Sequence, residues 1–184
     1  MNVKDVVVLI GSLRKGSFNR KIAQALGDIA PATLQLQPVE IGDLPLYNPD
    51  IEAAPSAAWT RVRERVRPAH GVLFVTAEYN RSIPACLKNA VDVGSRPYGH
   101  SVWSGKPGAI VSASTGAIGG FGANHHLRQW LVAIGVSAMA QPEAYIGGVD
   151  KLFDAAGKLA MPTREFLAKY LQAFAEWIDK NAAS

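Results

Sequence analysis

The chain has 184 residues, of which 48% are hydrophobic and 18% charged, so it is not intrinsically disordered and is long enough to bury the core of one domain. Its single cysteine, Cys86, excludes an intramolecular disulfide framework, and no uninterrupted apolar stretch reaches the length of a membrane span. Nineteen Lys and Arg against fifteen Asp and Glu leave a net +4, which suits small anionic ligands but is too small and too scattered for a nucleic-acid surface.

The first apolar run, Val6–Ile10, is continuous and β-branched, the pattern of a parallel strand buried on both faces. It is too short for a secretory h-region and no small-residue cleavage site follows it, so a cytoplasmic location is expected. Ile22, Ala23, Leu26 and Ile29 then recur at helical spacing. Leu34–Val39 alternates apolar with polar residues and contains Pro38, as an edge strand does. Arg61, Arg63, Arg65 and Arg67 follow at helical spacing and read as a solvated face. Val72–Val75 is the next buried strand, and residues 85–92 read as a helix with Ser82 as N-cap and Pro84 in its first turn. Ala109–Val111 is a further strand, Leu127, Leu131 and Ile134 a helix stripe, and Val136–Met139 a weaker strand. An apolar stripe from Phe166 to Ile178 closes the chain on a helix that begins near Pro162.

Five repeats of strand and helix predict an α/β fold, one domain over residues 1–184, with a doubly wound parallel sheet of order 2-1-3-4-5 and right-handed crossovers. In that order strands one, three and four are neighbours. The loops that leave them at Gly11, Ala77 and Ala113 then meet at one crevice, where open parallel sheets bind ligands.

The first of these loops, Gly11-Ser12-Leu13-Arg14-Lys15-Gly16-Ser17-Phe18-Asn19, joins a buried strand to a helix N-terminus. Backbone N–H groups and the helix dipole favour an anion there, with Ser12, Ser17 and Asn19 as further donors and the forked guanidinium of Arg14 suited to phosphate oxygens. The loop lacks G-x-G-x-x-G, and Gly16 is followed by Ser17 rather than Lys, so neither the dinucleotide fingerprint nor the Walker pattern is present. Ser17 or Asn19 as a simple helix cap is the competing reading. In the second loop, Tyr79 and Asn80 offer an aromatic face beside amide donors for a flat heteroaromatic ligand, with half-buried packing of Tyr79 as the alternative. The third, Ser112–Gly120, is rich in Gly and Ser, which lets backbone approach a ligand closely.

Cys86 reads as a small core residue rather than a nucleophile. His125 and His126 read as surface or interface residues, since adjacent helical histidines diverge and nothing completes a metal site. The four tryptophans read as packing anchors, with Trp103 in a Gly/Ser-rich stretch that borders either the ligand ring or a partner subunit.

Together, G-S-L-R-x-x-S-x-N at 11–19, E-Y-N-x-S-I-P at 78–84, L-K-N-A at 87–90 and S-T-G-x-x-G-G at 114–120 resemble the NADPH-dependent FMN reductase family, especially its quinone/chromate reductase branch. Pro142-Glu143 and Gly147-Gly148 resemble that family's closing segment. The resemblance implies a flavodoxin-like three-layer sandwich that binds FMN and takes electrons from NADPH or NADH. Ser12, Arg14, Ser17, Phe18 and Asn19 would hold the phosphate end. Glu78, Tyr79, Asn80, Ser82, Ser114, Gly116, Gly119 and Gly120 would line the ring. It further implies a homodimer or homotetramer that passes two electrons to a small-molecule acceptor, a quinone first, in a ping-pong cycle, with no catalytic side chain and no metal. Ala77, Ala85 and Val93 stand where the family often has proline, glycine and tryptophan. A flavodoxin-like electron carrier and a flavin-free phosphate-binding domain are the alternatives. The positive charge and Arg14 argue against the carrier.

Overall fold

Val6, Val7, Val8 and Leu9 are consecutive, and none is more than 1% exposed. Only a strand covered on both faces permits that. In the computed structural model, which describes residues 3–181, this run is β1 (Lys4–Gly11). It is followed by α1 (Phe18–Ile29), β2 (Leu34–Val39), α2 (Ala57–Val66), β3 (Gly71–Thr76), α3 (Ala85–Gly94), β4 (Pro107–Ala113), α4 (Phe121–Ala133), β5 (Ser137–Ala138), β6 (Ala144–Ile146) and α5 (Met161–Asn181). The pairing is parallel throughout, in the order β2-β1-β3-β4-β5, with β6 also beside β4.

The side chains of β1 alternate between two cores, as a pleated strand requires. Val6, Val8 and Ile10 meet Ile22 and Leu26 of α1 and Leu167, Leu171 and Phe174 of α5. Val7 and Leu9 meet Trp59 and Val62 of α2, Leu87 of α3 and Leu127 of α4. The sheet is therefore the middle of three layers, and β2, paired only with β1, is its edge as expected.

Three expectations need correction. The fifth strand is broken: β5 pairs with Pro107 and Gly108, β6 pairs with Val111–Ala113, and the chain leaves the sheet between them. At that gap the buried Tyr170 hydroxyl donates to Ile110 O (2.8 Å) and accepts from Ile110 N (2.9 Å), so a side chain completes the ladder where backbone is missing. Ser82 does not cap α3; Pro84 holds the N-cap position without a side-chain hydrogen bond. The arginines of α2 are not a free solvated face. Arg61 forms a two-pronged pair with Asp43 and Arg65 one with Asp5, while Arg63 is 8% exposed and donates Nε to Val93 O. Trp103 is a packing anchor, as expected: it is fully buried against Gly94, where any Cβ would overlap its indole, and its Nε1 donates to Val91 O.

Candidate functional site

Sheet register sets Gly11, Thr76 and Ser112 side by side at the C-terminal ends of β1, β3 and β4. A Cβ at Gly11 would lie 2.9 Å from Thr76 Oγ1 and 3.1 Å from Leu87, so only glycine lets the first loop leave the sheet here. The three loops then enclose one cleft. It is lined by Ser12, Arg14, Ser17, Phe18 and Asn19 of the first, Ala77, Glu78 and Tyr79 of the second, and Ala113, Ser114 and Thr115 of the third, with Val149. Its volume is about 140 Å³, below the roughly 300–1,000 Å³ of a pocket that encloses a ligand. A ligand is thus gripped at one end and open along the rest.

The first loop ends where Ser17, extended at the N-cap, accepts Arg20 N–H on its Oγ (3.2 Å) and Lys21 N–H on its carbonyl (3.1 Å). Ser17 is therefore a helix cap. The N–H groups of Phe18 and Asn19, at the very start of α1, have no acceptor within the helix. They leave an anion-binding helix end beside Arg14, which is exposed and pairs with no carboxylate among the described residues. Asn19 is 4% exposed, and its Nδ2 donates to Ala113 O (3.2 Å), tying the first loop to the third. Its Oδ1 is buried with no partner. A buried acceptor on a cleft wall without a donor calls for one from a ligand.

In the second loop Tyr79 and Ser82 exchange backbone hydrogen bonds of 2.8 and 2.9 Å around a two-residue turn. Tyr79 is half exposed at the cleft mouth, and Asn80 is exposed and not part of the lining. Ser82 Oγ lies 2.8 Å from His126 Nδ1 on α4, outside the lining. Glu78 reaches α4, where its Oε2 accepts from Ala123 N (3.1 Å).

The third loop is fastened to the segment after β6. Ser114 N donates to Ile146 O, Val149 N to Ser114 O and Gly148 N to Gly116 O. Gly119, at φ +60, packs on the backbone of residues 145–147, where a Cβ would come within 2.5 Å of Tyr145 C. Gly120, at φ +78, is the N-cap of α4. Gly116, Gly119 and Gly120 thus shape the loop, and of the residues predicted on the third loop Ser114 is the one that lines the cleft. Ala77, Ala113, Thr115 and Val149 line it as well, although the sequence reading did not count them among the cofactor-binding residues. Ala113 and Thr115 flank Ser114, and Val149 follows the Gly147-Gly148 pair, which was the signal that pointed to it.

His125 Nε2 lies 2.8 Å from Tyr145 OH and 3.8 Å from Glu143 Oε1. Burial, with Glu143 beside it, pushes the Tyr145 phenol up to about 12, so it is neutral at ordinary pH. Burial also raises the Cys86 thiol, which disfavours the thiolate that a nucleophile needs. No group of three metal-ligating side chains occurs among the described residues. A second groove of about 300 Å³ lies between α1 and the start of α5, lined by Lys21, Asp28, Lys158 and Arg164 among others. It contains none of the buried unpaired polar atoms and none of the three loops.

FMN suits the first cleft on the chemistry of its donors. A phosphate matches Arg14 and the free N–H groups at the start of α1. A ribityl hydroxyl matches the orphaned Asn19 Oδ1, and a flat ring matches the face of Tyr79.

Residues 5–151 match the family described as NADPH-dependent FMN reductase. The chain is 60% identical over 182 residues to a quinone reductase of Pseudomonas putida, with 98% of each chain covered. It is 42% identical over 174 residues to a 2-hydroxy-1,4-benzoquinone reductase of a Burkholderia species, covering 94% of this chain and 95% of that one. Among solved structures it resembles FerB, a flavoenzyme NAD(P)H:(acceptor) oxidoreductase of Paracoccus denitrificans, with a TM-score of 0.93, 40% identity and coverage of 98% and 100% of the two chains.

Proposed function

Since the chain belongs to the NADPH-dependent FMN reductase family and is thus an FMN-dependent NAD(P)H oxidoreductase, we propose that its acceptor is a quinone and that donor and acceptor use the cleft in turn. Bound FMN supplies the chemistry, a two-electron transfer from NAD(P)H to the acceptor. The residues of this chain bind and orient. Arg14 and the N–H groups of Phe18 and Asn19 hold the phosphate, Ser12 and Ser17 shape that end, and Asn19 Oδ1 accepts a ribityl hydroxyl. Tyr79, Ser114 and Thr115 border the ring, with Asn80, Ser82, Gly116, Gly119 and Gly120 setting the loops that carry them. No side chain of the cleft is required as nucleophile or metal ligand.

The observation that carries this reading is the unpaired, buried Asn19 Oδ1 at the open cleft. Openness supports a ping-pong order, because one exposed ring face serves donor and acceptor in succession. Dependence on NAD(P)H favours the cytoplasm as the place of work. Tyr79, Ile118 and Phe121, 48%, 54% and 49% exposed around the loops, favour a homodimer or homotetramer.

Purified protein reconstituted with FMN should be yellow, should bleach anaerobically with NADPH or NADH, and should regain its colour when a benzoquinone is added. Failure to bind FMN would sink the reading. Bleaching without recovery by any quinone would remove the proposed acceptor.

A further inference from the structure

The resemblance places Glu78 against the flavin ring, yet its carboxylate is already committed elsewhere. Oε2 accepts Ala123 N–H in the first turn of α4, 3.1 Å away. Oε1 accepts Arg81 Nη1 at 2.8 Å. Glu78 is 11% exposed and Arg81 is 74% exposed. An exposed ion pair alone contributes little, but a largely buried carboxylate on a helix N-terminal N–H is a charge-assisted bond.

The turn that Glu78 grips is an unfavourable one. Asn80 and Arg81 sit at φ +51 and +64, between the two hydrogen bonds that join Tyr79 and Ser82. Positive φ at both central residues is the hairpin turn that favours Asn followed by Gly, and here arginine takes the glycine position. Such strain persists only where neighbours hold it. Space is reserved for the grip: a Cβ at Gly122 would come 2.9 Å from Glu78 Oε2, 3.2 Å from Arg81 O and 3.4 Å from Arg81 Cα.

We propose that Glu78 is a positioning residue for FMN, which clamps the strained 79–82 turn to the N-terminus of α4 and so keeps Tyr79 at the cleft mouth. Its carboxylate acts through the turn and not by touching the flavin. The proposal rests on the FMN reading of the cleft.

The test measures the FMN dissociation constant, the visible spectrum of bound FMN and the melting temperature of the apoprotein. Glu78→Ala should weaken FMN binding roughly tenfold or more, as loss of a charge-assisted hydrogen bond does, and should shift the ring's visible bands. Gly122→Ala should do the same with the carboxylate intact, and it carries the test should Glu78→Ala fail to fold. Arg81→Gly added to Glu78→Ala should bring the dissociation constant back to within about threefold of wild type, because glycine takes positive φ unaided. The melting temperature should stay low, because the α4 cap remains absent. An undiminished affinity in both single variants overturns the proposal. So does a loss that Arg81→Gly leaves unrepaired, which would place Glu78 in direct contact with FMN. A wild-type protein that binds no FMN defeats the functional reading instead.

Discussion

Arg14 is the cation with most at stake, because its guanidinium stands beside unpaired helix N–H groups and has no carboxylate partner of its own among the described residues. Arg14→Ala should weaken FMN binding by roughly 10- to 100-fold, the range for charge-assisted hydrogen bonds. Lys169→Ala, which removes an equal charge from the outer face of α5, should leave the dissociation constant unchanged. Equal effects, read by quenching of flavin fluorescence, would show that only overall charge matters. Arg63, the obvious surface control from the sequence, is unsuitable. It is buried and supports Val93 O, and burial lowers its affinity for the proton.

At the scale of elements, the break between β5 and β6 matters most. It leaves Ile110 facing a gap in the sheet, filled by the hydroxyl of Tyr170 from α5, 60 residues away in sequence. Tyr170→Phe should lower unfolding stability by about 2–3 kcal/mol, because a buried N–H and C=O lose their partner. Chemical denaturation would read this, and an unchanged midpoint would mean that water replaces the hydroxyl. Two of the raised phenols add a pH dependence. Burial raises both Tyr170 and Tyr145, so the fold holds them protonated more strongly than the unfolded chain does. Their stabilisation is complete below pH 10, the ordinary tyrosine value, and is lost as pH rises toward about 12, where Tyr145 ionises. Tyr145→Phe should flatten part of that decline.

For the whole molecule, exposed apolar side chains stand on the second and third loops and at the start of α4. Tyr79 on the second loop and Ile118 and Phe121 on the third and its helix are exposed together with the cleft mouth. Light scattering on the purified protein should give a mass of at least two chains, and Ile118→Lys with Phe121→Lys should reduce it. A monomeric wild type would leave those residues without the proposed partner. The +4 charge is spread thinly, since Arg61, Arg65 and Arg81 are each paired with a carboxylate. Among the residues that line the cleft, the cation is Arg14.

The order of strands and helices, the edge position of β2 and the three loops at one crevice were legible in the sequence alone. Each rests on burial periodicity, a local property that any short window of residues carries. The glycines and Arg14 of the first loop were legible as a local motif, and the family was legible through the resemblance of the motifs in their order along the chain. The tertiary structure decided the rest. It turned Ser82 from a helix cap into a partner of His126 and Arg63 from a surface charge into a core group. It also broke the fifth strand and set Tyr170 in the gap. Each of these is a contact between residues distant in sequence. A hydrogen-bonding side chain can find many partners of the same chemistry, and only the packed fold brings one of them within reach.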